Sequence, residues 1–299
     1  MDEDVYQFIK SCELCPRHCK VDRTQQVGRC GQGSNIKIGL STLHYFEEPC
    51  ISGSAGSGAI FFSGCNLNCV FCQNYVISSL NHGKEISIEE LADLMVDLQS
   101  QGGNNINLVT AFAYVPHIIK AIDIARANGL NVPIIYNSSG YETVETIRLL
   151  NGYVDVYLPD MKYYFSELSK DLSNCENYFI KASNAIKEMY KQVGKVQFDQ
   201  DGMIKKGVII RHLVLPNHIY NSKKVLKWIK DNFGDNVLVS VMFQYFPSYK
   251  ALEKEDINRK VNREEYDEIV NYMKYIEINS GYFQEYSELD ESQYVPDFK

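Results

Sequence analysis

The chain lacks the features that would place a protein on a nucleic acid, in a membrane or in the secretory pathway. It has no basic run, and its 30 Lys and Arg are outnumbered by 38 Asp and Glu, for a formal net charge of −8. Because nucleic-acid binding requires a basic surface, we expect no nucleic-acid partner. No stretch reaches the roughly 18 consecutive apolar residues of a membrane span, and the acidic start MDEDVYQFIK has no secretory apolar segment. We expect a cytoplasmic protein with no membrane partner.

Cysteine, in contrast, is plentiful and unevenly distributed. One of the nine cysteines, Cys175, stands alone far downstream. The other eight fall in the first quarter of the chain: Cys12, Cys15, Cys19, Cys30, Cys50, Cys65, Cys69 and Cys72. The cytosol keeps thiols reduced, so cysteines in this number are typical of metal ligands or redox groups rather than of disulfides. The distribution therefore predicts metal chemistry in the N-terminal third.

Apolar runs rich in β-forming residues alternate with segments of helical spacing. The six runs lie at 59–62, 106–109, 132–136, 154–158, 208–213 and 237–241. The clearest helical segment, 87–101, begins with Ser87 and Glu90 as a capping box. Such alternation predicts an α/β fold of parallel strands joined by crossover helices, with the chemistry at the C-terminal ends of the strands. Six units are too few for a closed eight-stranded barrel, which leaves an open, partial barrel or a doubly wound sheet.

Three closely spaced cysteines follow the first of these runs. Cys65, Cys69 and Cys72 stand in the stretch FFSGCNLNCVFCQN, within the loop expected to leave the C-terminal end of that strand. A structural zinc site takes four protein ligands, whereas this loop offers three cysteines and no nearby histidine. A [4Fe-4S] cluster held by three thiolates keeps one iron open to a non-protein ligand. We interpret the triplet as the ligands of such a cluster; the alternative is three buried structural cysteines.

The spacing C-x3-C-x2-C, with the aromatic Phe71 before the last cysteine, resembles the cluster loop of the radical S-adenosylmethionine (radical SAM) enzymes. In that superfamily the open iron binds the amino and carboxylate groups of SAM. One electron then cleaves SAM to methionine and a 5′-deoxyadenosyl radical, which abstracts a hydrogen atom. The resemblance implies a partial (β/α)6 TIM-like barrel, a [4Fe-4S] cluster and SAM as cofactors, and a place for Phe71 against the adenine.

Further stretches resemble one branch of this superfamily, the homologues of pyruvate formate-lyase activating enzyme. They are CELCPRHC, EEPCISG, SGCNLNCVFCQN, NINLVTAFAYVP, VYLPDMKYY and IIRHLVLPNH, with a weaker likeness in VSVMFQYFPSYKA and YVPDF. Activating enzymes abstract a hydrogen from a backbone glycine of a partner protein. The resemblance implies a protein or peptide substrate, with a glycyl-radical enzyme as the specific candidate, and an electron donor such as flavodoxin or ferredoxin. The alternatives are modification of another peptide residue or of a small molecule, and a non-catalytic iron–sulfur electron carrier.

Charged residues at two predicted strand ends fit this likeness. Asp160 and Lys162 follow the fourth run and resemble the Asp-x-Lys that activating enzymes place at the active site; the alternative is a solvated surface ion pair. Arg211 and His212 lie within the fifth run, where a charged group is costly unless it is paired or directed into a polar site. Only one of the two can point inward, and the family likeness favours Arg211. Asp160, Lys162 and Arg211 are therefore the candidate catalytic residues.

Other strand ends supply candidates for binding SAM. The superfamily's Gly-Gly-Glu-Pro-like turn is absent after the second run, where Thr110 opens the sequence TAFA, so Thr110 becomes the candidate contact for the SAM amino group. Ser138, Ser139 and Gly140 follow the third run and suit ribose hydroxyls or the methionyl carboxylate, with an ordinary turn as the alternative. Gln244, at the end of the sixth run, completes the ring.

A second group of four cysteines precedes the barrel. Its spacing is Cys12-x2-Cys15-x3-Cys19-x10-Cys30. Four thiolates complete either a tetrahedral zinc site or a second, closed [4Fe-4S] cluster, and the sequence leaves both open. Cys50 is an alternative to one of these four ligands; by itself it is more typical of a small buried residue. The expected division of the chain is a Cys-rich N-terminal extension at 1–50, a radical SAM partial barrel at 51–280 and a C-terminal tail at 281–299.

Overall fold

The computed structural model describes residues 3–286 and residue 298; the rest of the predicted tail lies outside the described residues. The strands are β1 Ile36–His44, β2 Ser57–Phe62, β3 Lys84–Ile86, β4 Ile106–Val109, β5 Ile134–Ser138, β6 Val156–Pro159, β7 Gln197–Phe198, β8 Ile204–Leu213, β9 Leu238–Met242 and β10 Gly281–Phe283. The helices are α1 Glu3–Lys10, α2 Pro49–Ser52, α3 Tyr75–Ser78, α4 Ile88–Ser100, α5 Val115–Ala127, α6 Val144–Leu149, α7 Ser166–Ser173, α8 Tyr178–Val193, α9 Ile219–Phe233 and α10 Arg263–Tyr275.

A mostly parallel sheet organises the described part of the chain. Strands β2, β4, β5, β6, β8, β9 and β10 lie side by side in that order and run parallel. Strand β1 pairs antiparallel with β2 and β3 pairs antiparallel with β1, so these two extend one edge of the sheet. The sheet does not close, which confirms the predicted α/β fold with an open, partial barrel.

All six predicted strands are present, with ends that differ by a few residues from the apolar runs. The capping box at Ser87 is confirmed. The Ser87 side chain accepts a hydrogen bond from the Glu90 amide, and the Glu90 carboxylate accepts one from the Ser87 amide. Strands β1, β3, β7 and β10 were not predicted. Three of them have two or three residues, and β1 is half-buried along most of its length, so neither an apolar run nor a strict alternation marks them.

Two apolar layers position the functional region. Helices cover the outer face of the sheet, while a smaller cluster that includes Ile135, Leu158 and Ile209 fills the inner face. Side chains alternate along β8, so Ile209 and Arg211 share the inner face and His212 points toward the helices. No helix in the described residues is long and apolar enough to cross a membrane.

The segment before the sheet packs closely onto it. Residues 11–35, which we call the N-terminal cysteine loop, contain neither helix nor strand and connect α1 to β1. Arg17 donates to the carbonyl oxygens of Asn66 and Asn174, at 2.8 and 2.6 Å, and the Thr146 hydroxyl donates to the Leu14 carbonyl at 2.8 Å. The predicted N-terminal extension thus contributes β1 to the sheet as well as the cysteine loop.

Candidate functional site

The loop after β2, residues 63–74, carries three of the cysteines, and we call it the barrel cysteine loop. Gly64 turns the chain with a φ of +83°, a conformation that side chains other than glycine rarely adopt. Each sulfur then receives or shares a polar contact. The Leu67 amide donates to Cys65 Sγ at 3.4 Å, the Ser173 hydroxyl donates to Cys69 Sγ at 3.0 Å, and the Ser78 hydroxyl lies 3.1 Å from Cys72 Sγ.

These thiols sit in surroundings that disfavour their ionised form. Burial raises the pKa of Cys69 to about 11 and that of Cys72 to about 12, and the neighbouring thiols add to the shift. A bound cationic centre reverses this balance, because it coordinates thiolates and releases their protons. In the described residues, no three Cys, His, Asp or Glu side chains converge closely enough to enclose a single metal ion. The donor set fits a cluster, in which each thiolate binds a different iron.

A cavity of about 210 Å³ opens beside the barrel cysteine loop, at the C-terminal ends of the parallel strands. Two of the cysteines, Cys69 and Cys72, line it together with Phe71. Its other lining residues include His44, Phe46, Glu47, Phe61, Asn137, Asp160, Lys162, Arg211, Leu213, Met242 and Gln244. The lining therefore combines cysteines and aromatic rings with charged side chains, and we call Glu47, Asp160, Lys162 and Arg211 the charged wall.

Arg211 is the centre of the charged wall. Its Nε donates to Asp160 Oδ1 at 3.1 Å, its Nη1 to Glu47 Oε2 at 3.2 Å and its Nη2 to Asn137 Oδ1 at 2.5 Å. Lys162 Nζ donates to the other carboxylate oxygen of Asp160 at 2.6 Å. The carboxylates and cations are only 10–18% exposed, so solvent screens these contacts weakly.

Two cations and two carboxylates thus share one network. Burial alone would raise the pKa of Asp160, but the Lys162 ammonium and the Arg211 guanidinium outweigh it and lower that pKa below its usual range. Burial likewise acts to lower the pKa of Lys162, and the Asp160 carboxylate overcomes it, so the pKa of Lys162 is raised. Asp160 is therefore ionised and Lys162 protonated at neutral pH.

Several predicted SAM-binding residues face elsewhere. Thr110, Ser138, Ser139 and Gly140 do not line the cavity. The Ser138 hydroxyl is buried and donates to Glu142 at 3.2 Å, and the amide of Thr110 donates to the Asn137 carbonyl at 2.8 Å. Their proposed contacts with SAM stay predictions. Phe71, Asp160, Lys162, Arg211 and Gln244 all reach the cavity.

Sequence reasoning overlooked Glu47. Its Oε1 accepts from Asn107 at 3.0 Å and from Asn137 at 3.3 Å, while Oε2 accepts from Arg211. The only signal in the sequence was the acidic pair before Pro49 in EEPCISG. Its position in the site depends on β1, the strand that carries the chain to this edge and that was not predicted.

The other predicted metal ligands lie in a separate part of the molecule. Cys12, Cys15, Cys19 and Cys30 line one small cavity of the N-terminal cysteine loop. Cys50 does not join them; it is buried in α2 against the inner apolar cluster. Cys175 lies beside Asn177, 3.7 Å from its side-chain oxygen.

Known proteins are similar to this chain in sequence. A family model described as the radical SAM superfamily matches residues 59–192. An uncharacterized protein of Methanocaldococcus jannaschii is 35% identical over 266 residues, which cover 86% of this chain and 72% of that protein. A second uncharacterized protein of the same organism is 22% identical over 265 residues, with coverages of 81% and 72%.

Solved structures agree in fold. Methylornithine synthase has a TM-score of 0.50 at 18% identity, covering 70% of this chain and 59% of its own. A radical SAM methyltransferase from Sphaerobacter thermophilus has a TM-score of 0.53 at 14% identity, with coverages of 76% and 66%. The FeFe-hydrogenase maturase from Carboxydothermus hydrogenoformans has a TM-score of 0.52 at 16% identity, with coverages of 73% and 50%. The chain thus spans half to two thirds of these proteins, and at such identities the likeness shows the fold alone.

Proposed function

The chain belongs to the radical SAM superfamily, and we propose that it abstracts a hydrogen atom from a protein or peptide, most specifically from a backbone glycine of a glycyl-radical enzyme. When bound, a [4Fe-4S] cluster and SAM supply the reducing electron and the 5′-deoxyadenosyl radical for this chemistry. The observation that carries the proposal is the shared cavity, which Cys69 and Cys72 line together with the charged wall residues Asp160, Lys162 and Arg211.

The residues of the cavity suit the groups that they would hold. Cys65, Cys69 and Cys72 offer three thiolates to a cluster and leave one iron for SAM. The Lys162 ammonium is complementary to the carboxylate of SAM, and the carboxylate of Asp160 is complementary to its amino group and sulfonium. Because Arg211 holds Asp160 in place, we assign Arg211 a positioning role. The ring of Phe71 provides an apolar surface for adenine.

A second cavity supports a chain-like substrate. It measures about 360 Å³ and adjoins the first, with which it shares Phe46, Glu47 and Arg211. Its rim carries aromatic side chains that are about half exposed, Tyr45 and Phe283 at 52% each. Exposed aromatic groups around a polar opening are typical of surfaces that bind peptides or proteins. We propose that substrate enters here, and that a flavodoxin or ferredoxin supplies the electron.

The test is anaerobic reconstitution with iron and sulfide, followed by dithionite and SAM, with 5′-deoxyadenosine as the readout. Wild type should form 5′-deoxyadenosine and Cys69→Ala should not, while Cys175→Ala, which removes a buried cysteine outside the cavity, should behave as wild type. Iron is counted in all three proteins. A reducible cluster that binds SAM and gives no 5′-deoxyadenosine, with or without partner, would contradict the proposal and favour an electron carrier.

The glycine acceptor needs a separate assay. Candidate glycyl-radical enzymes encoded near this gene would be mixed anaerobically with reduced enzyme and SAM, then examined by electron paramagnetic resonance. A doublet on the partner, abolished by Cys69→Ala in the enzyme, is the expected result. Formation of 5′-deoxyadenosine without a doublet on any competent partner would exclude glycyl-radical activation and leave modification of another peptide residue or of a small molecule.

A further inference from the structure

The four cysteines of the N-terminal cysteine loop meet although the first and the last are 18 positions apart in the sequence. Cys12 exchanges backbone hydrogen bonds with two adjacent residues, since its amide donates to Val21 O at 3.1 Å and the amide of Lys20 donates to its carbonyl at 3.0 Å. A separate turn contains Cys30, with the Gly28 amide donating to Gln32 O at 2.9 Å. All four thiols face one enclosed cavity.

Gly28 shows how tightly this cavity is built. A Cβ atom at this position would lie 3.5 Å from Cys30 Sγ and 3.6 Å from Cys19 Sγ. The backbone of Gly28 therefore stands directly against two of the sulfur atoms. The turn that follows uses Gly31, whose φ of +80° favours glycine.

Backbone amides oppose the effect of burial on three of the four thiols. Burial raises the pKa of Cys12, Cys15 and Cys30, while the amides of Leu14, Arg17 and Gln32, each two residues further along the chain, act to lower it. The barrel cysteine loop has the same arrangement at Cys65, which accepts from the Leu67 amide. An N–H group directed at sulfur stabilises a thiolate, the form that binds metal.

A buried cation lies beside the same thiols. Arg23 is only 2% exposed, its guanidinium donates to the carbonyl oxygens of Gly33 and Ala113, and its charge acts to lower the pKa of the Cys12 thiol, which burial raises. None of the ion pairs among the described residues involves Arg23. A buried guanidinium with neutral partners alone is costly, whereas adjacent thiolates would neutralise it.

From these contacts we propose that Cys12, Cys15, Cys19 and Cys30 form a second metal centre in which every ligand is a thiolate. Because no set of described side chains converges closely enough to enclose a single ion, the four thiolates fit a [4Fe-4S] cluster, in which each binds a different iron and no open position is left for SAM or substrate. The centre is closed and does not depend on the function proposed for the barrel. It fixes the N-terminal cysteine loop against the segment after β4, through Phe112 and Ala113, and against the barrel cysteine loop, through Arg17 and Asn66.

The test uses full-length chain with Cys65, Cys69 and Cys72 all changed to Ala, which removes the barrel cluster and leaves the second set intact. The protein is purified anaerobically from medium with iron and zinc, and its iron, acid-labile sulfide and zinc are counted. Four iron and four sulfide per chain is the expected result. One zinc per chain without iron would overturn the assignment of a cluster.

Two further variants of this triple mutant make the assignment specific. Adding Cys12→Ala and Cys15→Ala should abolish metal binding, while adding Cys50→Ala and Cys175→Ala should leave it unchanged. Metal content equal in the triple variant and the Cys12/Cys15 variant would overturn the proposal.

A second measurement on wild-type protein does not depend on whether the variants fold. Cys12, Cys15, Cys19 and Cys30 should resist alkylation together and become reactive together after a chelator is added. If these four thiols alkylate independently of one another and of the chelator, no shared centre exists.

Discussion

The two cysteine loops lie against each other but surround their sulfur atoms differently. The barrel cysteine loop presents three thiols beside a cavity whose wall holds Asp160, Lys162 and Arg211. The N-terminal cysteine loop encloses four thiols with arginines, and no carboxylate of the described residues lines its cavity. A three-thiol set beside mixed charges suits a centre that must also hold a small zwitterion, whereas a four-thiol set beside cations suits a centre with no vacant ligand position.

The largest expected effect is a difference in SAM cleavage between variants of the two cysteine loops. Cys69→Ala removes a ligand of the open set and should reduce 5′-deoxyadenosine formation to the level of protein-free controls. Cys12→Ala removes a ligand of the closed set and should retain cleavage of SAM, because dithionite can reduce the barrel cluster directly. Both variants are assayed after the same reconstitution, with iron counted. Loss of SAM cleavage in Cys12→Ala with four iron still bound would contradict the different roles assigned to the two loops.

A second prediction concerns the charged wall that only the barrel loop possesses. Arg211→Met leaves Glu47 and Asp160 without their shared partner in a weakly solvated site. We expect a loss of about 3 kcal/mol in the free energy of unfolding, measured by urea denaturation, together with weaker SAM binding. Arg263→Met is the matched control, because the Arg263–Asp267 pair is exposed to solvent and should leave the midpoint unchanged. Equal midpoints for both variants would contradict the prediction.

Much of the barrel could be predicted because apolar runs alternate with segments of helical spacing along the chain. Apolar runs mark six strands, and Asp160 and Lys162 come directly after one of them, which places both at the C-terminal edge of a parallel sheet. Glu47 was not predictable in this way. It meets Arg211 across 164 residues of sequence, through a strand whose antiparallel pairing leaves no apolar run.

Side-chain direction at strand ends was the other limit. The residue types of Ser138, Ser139 and Gly140 suit a polar ligand, yet the Ser138 hydroxyl turns away from the cavity toward the buried Glu142. A run of small polar residues does not specify which face each side chain takes once the strand has ended. For the N-terminal cysteines, spacing indicates the set, and only the fold shows that Cys50 stands apart from it.

The packing between the loops gives a third prediction. A Cβ at Gly64 would lie 2.6 Å from the carbonyl oxygen of Cys30 and closer still to Gln32, and the φ of +83° adds backbone strain. Gly64→Ala should therefore cost about 2 kcal/mol or more in stability and lower the metal content of both loops. Gly152→Ala has a similar φ of +84° and nothing within 4 Å, so it isolates the backbone cost, about 1 kcal/mol. If the two variants lose the same stability, the loops do not constrain each other.

The smallest effect concerns the segment that bridges the loops. The Asn66 side chain donates to the Tyr141 carbonyl from the barrel side, and Thr146 donates to the Leu14 carbonyl on the N-terminal side, each within 2.8 Å. In sequence Glu142 falls between Tyr141 and Thr146; it is buried, and burial raises its pKa to about 8 from the ordinary value of 4.5. As the pH rises, the unfolded chain loses this proton first, so the folded state loses stability between about pH 4.5 and pH 8.

Glu142→Gln keeps the shape of the neutral carboxyl and removes its titration. The variant and wild type should have similar stability near pH 4.5. Their free energies of unfolding should then diverge in favour of the variant by up to about 1.4 kcal/mol per pH unit toward pH 8. Urea denaturation across this range measures the divergence, and Glu145→Gln, an exposed change in the same segment, should follow wild type. Parallel curves for Glu142→Gln and wild type would show that the bridge between the two loops carries an ionised carboxylate, and the neutral carboxyl inferred from its burial would be wrong.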